Sequence, residues 1–269
     1  MHDKELRYTR GIMLTTPLRE AIKRQLPVWL LRWNKRRKWE PIRQQYGALP
    51  VAECFSEIYR TKLWGEAEGE EFYSGGGSEA HFAVPYVQLV QSLIAKHQIH
   101  TVVDLGCGDF RVGRRICAQG DLRYVGVDVV PDLIAHNRSS FGGPQVEFRC
   151  ANLIDDELPD GELCLIRQVL QHLTNAEISR VLAKCAKYRV VLVTEGLFTK
   201  PGSRPNLDIT HGPDVRASDN SGVFLDLPPF SFKTTTLLEI PIPGDETVMR
   251  TVLVDGLTDI KSREFLETA

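Results

Sequence analysis

The chain has 269 residues, 42% apolar and 25% charged, with a formal net charge of -2, which is enough for one substantial α/β core with something appended rather than two full domains. No apolar run approaches the length of a transmembrane helix and nothing at the N-terminus has the order of a signal peptide, so a cytoplasmic location is expected. The six cysteines are scattered without a Cys-x-x-Cys pair, which argues against zinc and against a disulfide framework.

Charge is unevenly spread. Residues 1–45 hold 12 Lys/Arg against 4 Asp/Glu, a balance of +8, which leaves -10 for residues 46–269. Within residues 17–45, Trp29, Trp33 and Trp39 interleave with a basic cluster, and Pro27 separates two helical pieces. Such a segment fits an anionic membrane surface, where each Lys or Arg contributes ~1 kcal/mol. Two other readings stand beside it: a solvated helix packing its aromatic side on the main domain, and an RNA-binding segment. Residues 1–45 are therefore separated from a main domain over 46–269.

Residues 46–100 read as a helical lid region. Glu53 to Gly65 is a short amphipathic helix stopped by its glycine. A spacer leads to Ser74-Gly75-Gly76-Gly77-Ser78, a loop expected to close over a ligand with Trp64 packed beside it. Ser78 is then expected to cap a helix reaching Lys96.

The core over 101–195 begins with an apolar run, Thr101 to Leu105, that ends in Gly106-Cys107-Gly108 and leads into a helical pattern from Arg111. A strand, glycine turn and helix in this order let a ligand lie on bare backbone at the carboxyl end of a parallel strand. A dinucleotide fingerprint needs a third glycine where this chain has Arg111, and Asp104 would repel a pyrophosphate. Asp104 suits an ammonium group instead. The pattern Asp-x-Gly-x-Gly favours S-adenosyl-L-methionine over NAD.

Strand and helix then alternate. The second strand, Arg123 to Asp128, ends in an acid placed to hold a ribose hydroxyl pair, followed by Val129. The third, Val146 to Cys150, leads to Asn152 and Leu153, an amide for the adenine edge and an apolar side chain for its ring. The fourth, Leu163 to Arg167, ends at Gln168. Thr174-Asn175-Ala176-Glu177 is a capping box that starts a helix to about Lys187, and Val190 to Glu195 is the fifth strand. The cofactor site is thus expected from Asp104, Gly106, Cys107, Gly108, Asp128, Val129, Asn152, Leu153 and Gln168, with Trp64, Gly77 and Ser78 over them. Any one of these alone reads as a helix cap; together they share one sheet edge.

Residues 196–269 hold a long polar loop, Pro201 to Pro229, and two β-rich runs around Pro243-Gly244-Asp245 that read as a hairpin. The expected fold is a Rossmann-like α/β sheet, seven-stranded and mostly parallel, with helices on both faces and a terminal antiparallel hairpin. His172, His211 and Asp208 are the candidate general bases, since transfer from a sulfonium to a hydroxyl needs only orientation and a base.

From Asp104 to Glu195 the chain resembles class I S-adenosylmethionine-dependent methyltransferases, and residues 53–242 resemble one bacterial branch of them. The resemblance rests on Ile58-Tyr59, Trp64-Gly65, Ser74 to Ser78, Cys107-Gly108-Asp109-Phe110, His172-Leu173, Asn206-Leu207-Asp208-Ile209-Thr210-His211-Gly212 and Pro229-Phe230. Gln168 and Asn152 stand where that branch usually has Asp. The resemblance implies methyl transfer and leaves the acceptor open. The acidic main domain disfavours nucleic acid, and a small-molecule or glycan acceptor is expected. A regulatory protein that keeps the fold without turnover is the rival reading; an NAD-dependent oxidoreductase fails at Arg111.

Overall fold

The central strands are near-continuous apolar runs, the signature of a sheet covered on both sides. A computed structural model describes residues 39–118, 121–243 and 246–255. Its seven strands are β1 Thr101–Leu105, β2 Arg123–Asp128, β3 Val146–Cys150, β4 Leu163–Arg167, β5 Val190–Phe198, β6 Lys233–Pro241 and β7 Thr247–Asp255. They lie in the order β3-β2-β1-β4-β5-β7-β6, with β7 antiparallel to β5 and β6 and all other pairs parallel. The order reverses between β1 and β4, and it is at such a switch point that open α/β sheets bind ligands.

Alternation along the strands divides the core in two. Val103, Leu105, Cys164, Ile166, Val191 and Val193 face the helix Asn175–Cys185, with its buried Ile178, Val181 and Leu182. Val102, Tyr124, Leu163, Leu165 and Leu192 face the helix Ala80–Lys96 through Tyr86, Val87 and Val90. The capping box is present as expected: Thr174 Oγ1 accepts from the Glu177 amide and the Glu177 carboxylate accepts from the Thr174 amide.

Four local expectations are corrected. Ser78 does not cap a helix: it lies in a short 3-10 turn, Gly76–Ser78, and its hydroxyl donates to Gly75 O at 2.7 Å, while the helix starts at Ala80. The helix Val51–Arg60 stops before Gly65. Left-handed Lys62 (φ +53°) ends it, with Leu63 N donating to Ile58 O and Lys62 N to Tyr59 O, a Schellman closure made without glycine. β5 runs three residues past Glu195, because β7 pairs with it as far as Phe198. Finally, a helix over 39–47 crosses the expected boundary at 45. Tyr46 is buried against Cys54 and Ile58, and Arg43 Nε donates to Asp214 at 2.7 Å. The rest of the basic extension, with Trp29 and Trp33, lies outside the described residues. No described helix is long and apolar enough to cross a membrane.

Candidate functional site

A cavity of about 330 Å³ opens at the switch point, within the ~300–1,000 Å³ of small-molecule sites. All twelve residues expected around the cofactor line it, and so does His172; His211 and Asp208 do not.

The floor is main chain. Gly106 has φ +80°, and a β-carbon there would strike the Val169 side chain, so the turn after β1 takes its path because glycine occupies it. The Gly106 and Cys107 amides both donate to Val127 O. Asp104 is buried and accepts from the Tyr124 hydroxyl at 2.6 Å; burial pushes its pKa up to about 6. Asp128 is buried as well and accepts from the Gly108 and Val130 amides at 3.1 and 3.2 Å. Burial raises its pKa despite those donors. Each of its oxygens keeps a second lone pair.

The glycine loop is the roof, held at three points. Ser74 and Asp109 bond reciprocally: Ser74 N donates to Asp109 Oδ2 at 3.0 Å and Asp109 N to Ser74 Oγ at 2.8 Å. Tyr59 shares a 2.8 Å hydrogen bond with the same hydroxyl. Arg167 Nη2 donates to Gly77 O at 2.6 Å. A β-carbon on Gly77 would fall on the Gln168 side-chain amide, so the loop and Gln168 approach closely here and any side chain at 77 would displace that amide. Gln168 is itself left-handed (φ +56°), with its amide on Thr194 O.

On the far side of the turn, Leu153 is buried at the cavity wall. Asn152 reaches the cavity, but its side chain is also used locally. Oδ1 accepts from Ile154 N at 2.9 Å and Nδ2 donates to Asp155 at 3.1 Å.

The other end of the cavity is aromatic. The Trp64 ring lies 5.1 Å from His172, 5.5 Å from Tyr59 and 6.1 Å from Phe55, and its Nε1 donates to Pro213 O at 3.0 Å. His172 Nδ1 faces two carbonyls, Gly212 O and Asp214 O, each at 3.1 Å. Carbonyls only accept, so Nδ1 carries the proton and Nε2 presents its lone pair, 3.4 Å from the Gln171 amide nitrogen. Burial pulls the imidazole pKa down to about 4, which leaves the ring neutral near pH 7.

The structure gives His211 and Asp208 other work. His211 Nδ1 meets Glu177 and Nε2 meets Leu49 O, both at 2.9 Å. Both neighbours accept, so the ring is an imidazolium clamp, and the Glu177 hydrogen bond raises its pKa against burial. Asp208 is exposed and accepts from the Asn175 and Ile209 amides at 2.8 and 3.0 Å, at the start of the helix Asn175–Cys185.

Sequence reasoning missed the pins that hold the aromatic end. Glu195 is buried and accepts from the Val169, Leu170 and Gln171 amides, capping the turn that carries His172; burial pushes its pKa up to about 8. Arg216 is fully buried and donates to the carbonyls of Leu207, Leu170 and Leu173 and to Asn175 Oδ1. A carboxylate inside the apolar run of β5 was a usable signal. Arg216, in a polar loop, carried none.

These features fit S-adenosylmethionine: a glycine-floored cradle, a buried acid on each of two adjacent strands, and an apolar side chain at Leu153 for a ring. Residues 102–190 match a protein-family model described as a methyltransferase domain. No curated protein matches the chain. Among solved structures, the N-terminal domain of EvdMO1, determined with SAH and D-fucose, is similar at 15% identity and TM-score 0.48, with 74% of this chain and 95% of that one covered. Against whole EvdMO1 the chain spans 49% of the length, at TM-score 0.46 and 15% identity, with 77% of this chain covered. The N-methyltransferase NodS from Bradyrhizobium japonicum WM9 is similar at 9% identity and TM-score 0.46, covering 66% of this chain and 89% of that one.

Proposed function

We propose that this chain, which carries a methyltransferase domain and uses S-adenosylmethionine, transfers the methyl group to a hydroxyl or amine of a small-molecule or glycan acceptor, with His172 taking the proton. The observation that carries this reading is the presence of His172, neutral and with a fixed tautomer, in the same cavity as the glycine turn and Asp128. The bound cofactor supplies a methyl group already activated by its sulfonium, so the protein's share is orientation and, for a hydroxyl, a base. The two carbonyls on Nδ1 aim the ring. The long Nε2 contact to Gln171 is weak enough for an acceptor hydroxyl to replace it. Phe55 and Trp64 offer flat apolar walls beside it, suited to the apolar face of a sugar or another ring.

Membership of the bacterial branch belongs to the same proposal. Supporting it, the shared segments touch: Tyr59 with Ser74, Trp64 with His172, and Asn206 Nδ2 with Pro228 O next to Pro229. An anionic membrane contact through residues 17–45 would bring a lipid-linked glycan to the cavity.

The test is His172→Gln, assayed with labelled S-adenosylmethionine on glycan and lipid extracts and on small-metabolite pools. Transfer is expected to fall about 10²–10⁴-fold with cofactor affinity unchanged. An undiminished rate would remove the base role, and label confined to protein or nucleic acid would remove the acceptor class.

A further inference from the structure

The segment Gly212-Pro213-Asp214 spends three successive carbonyls on the aromatic end of the cavity. Gly212 O and Asp214 O each accept from His172 Nδ1 at 3.1 Å, and Pro213 O accepts from Trp64 Nε1 at 3.0 Å. Gly212 N returns a 3.0 Å bond to His172 O. The aim of the imidazole is therefore no better fixed than this segment is.

Packing alone does not fix it. Pro213 and Val215 line the cofactor cavity and also a second cavity of about 460 Å³ behind them, so the segment lacks the close contacts that a filled core supplies. Polar anchors stand at its two ends. At one, His211 bridges Glu177 and Leu49 O. At the other, Arg43, from the helix over 39–47, forks onto two acids. Its Nε donates to Asp214 Oδ2 at 2.7 Å, and its Nη2 donates to the same oxygen and, at 2.8 Å, to Asp219 Oδ2. The other oxygen of Asp214 is spent within its own turn, on Val215 N and Ser218 Oγ.

This ion triad is largely shielded from solvent, with side-chain exposures of 18% for Arg43, 9% for Asp214 and 10% for Asp219. Burial opposes the charge on Arg43, and the two carboxylates outweigh it and raise its pKa. Without the guanidinium, two acids that now share one nitrogen would face each other, and like charges so close drive each other apart. Asp214 carries both a carboxylate of this triad and a carbonyl on His172, so displacing one displaces the other.

We propose that Arg43 is a positioning residue for His172: its fork onto Asp214 and Asp219 holds the 212–214 segment, whose carbonyls keep the imidazole proton on Nδ1 and the Nε2 lone pair toward the acceptor. The proposal rests on the base reading above and deepens it. It makes the helix over 39–47, which contributes nothing to the lining of the cofactor cavity, a requirement for transfer but not for cofactor binding.

Nitrogen NMR of the full chain labelled at histidine reads the His172 tautomer, its signals identified by their loss in His172→Gln. Transfer from labelled S-adenosylmethionine to glycan, lipid and small-metabolite pools, and calorimetry with S-adenosylhomocysteine, read the consequences. The parent chain is expected to hold one tautomer, with the proton on Nδ1. Arg43→Met should mix the two tautomers and slow transfer about 10- to 100-fold, the scale of a misplaced reacting group, with cofactor affinity unchanged. Arg43→Lys, a point charge without the fork, should fall between. A parental tautomer in Arg43→Met overturns the proposal. Loss of cofactor binding in step with transfer overturns it too, since Arg43 would then be a prop of the whole domain. Where Arg43→Met does not fold, Arg43→Lys decides, and a parental tautomer and rate in that variant overturn the role of the fork. An undiminished rate in His172→Gln overturns the base reading and this proposal with it, whereas a tautomer indifferent to Arg43 overturns this proposal alone.

Discussion

Along the ends of β1 and β2 the cavity wall is main chain shaped by glycines, and its polar contacts end on backbone amides: Asp128 accepts from Gly108 and Val130, and Ser74 locks to Asp109 across the turn. At the aromatic end the wall is side chain, and its pins come from β5 and the long loop after it. Arg216 reaches back to Leu170 and Leu173, Glu195 to Leu170, and His211 to Leu49. The first region is built where ligand chemistry is common to many substrates. The second is built from a long loop whose residues can change without disturbing the sheet, which is where acceptor choice belongs.

Breaking the main-chain region should cost binding outright. Gly106→Val demands a left-handed φ of a β-branched residue and drives its β-carbon into Val169. Calorimetry with S-adenosylhomocysteine should show no binding by a folded variant; retained affinity would make the turn structural only. Breaking the side-chain region should cost stability instead. Arg216→Met removes the donor to the Leu207 and Leu173 carbonyls, takes one of two donors from Leu170 O and leaves Glu195 without a neighbouring cation, a loss of ~3 kcal/mol. Urea melts check it, and a loss under ~1 kcal/mol would mean the loop is held by other contacts.

How far each region could be read from the chain follows from the same contrast. All seven strands, the capping box and the terminal hairpin were legible because their signals are local: apolar alternation, glycine punctuation, and Thr174 three residues before Glu177. Of the twelve expected cofactor-side positions, nine lie at or just past strand ends, which the topology gathers at one edge, and Trp64, Gly77 and Ser78 come from before β1; all twelve line the cavity. The role of His211 was not legible. A base and a clamp look alike in sequence, and only Glu177 and Leu49 beside it separate them. Ser78 misled because a serine before a helical pattern is usually a cap; here the glycine loop turns first, and Glu79 enters the helix.

Smaller changes sharpen the comparison. Asp128→Asn keeps an acceptor for one of the two amides but loses the charge, and should weaken S-adenosylhomocysteine by ~1.5 kcal/mol, about tenfold, without unfolding the chain. Unchanged affinity would place the ribose elsewhere. The change that touches the cavity least concerns the basic N-terminal residues. The full chain is expected to sediment with anionic vesicles at low salt and to be released as salt rises, each basic residue near the surface contributing ~1 kcal/mol. Indifference to vesicles would remove the membrane part of the proposal. Because Arg43 and Tyr46 pack on the domain, truncation should stop before residue 39.

The central claim is that the glycine turn, Asp104 and Asp128 form a site for S-adenosylmethionine and not for a dinucleotide. Thermal unfolding of the full chain with S-adenosylhomocysteine and, separately, with NAD tests it directly, since only a ligand of the native state raises the midpoint, by the equivalent of ~2.7 kcal/mol at a hundred times its Kd. The account predicts a saturable rise with S-adenosylhomocysteine and none with NAD. A rise with NAD, or no rise with S-adenosylhomocysteine, would contradict it.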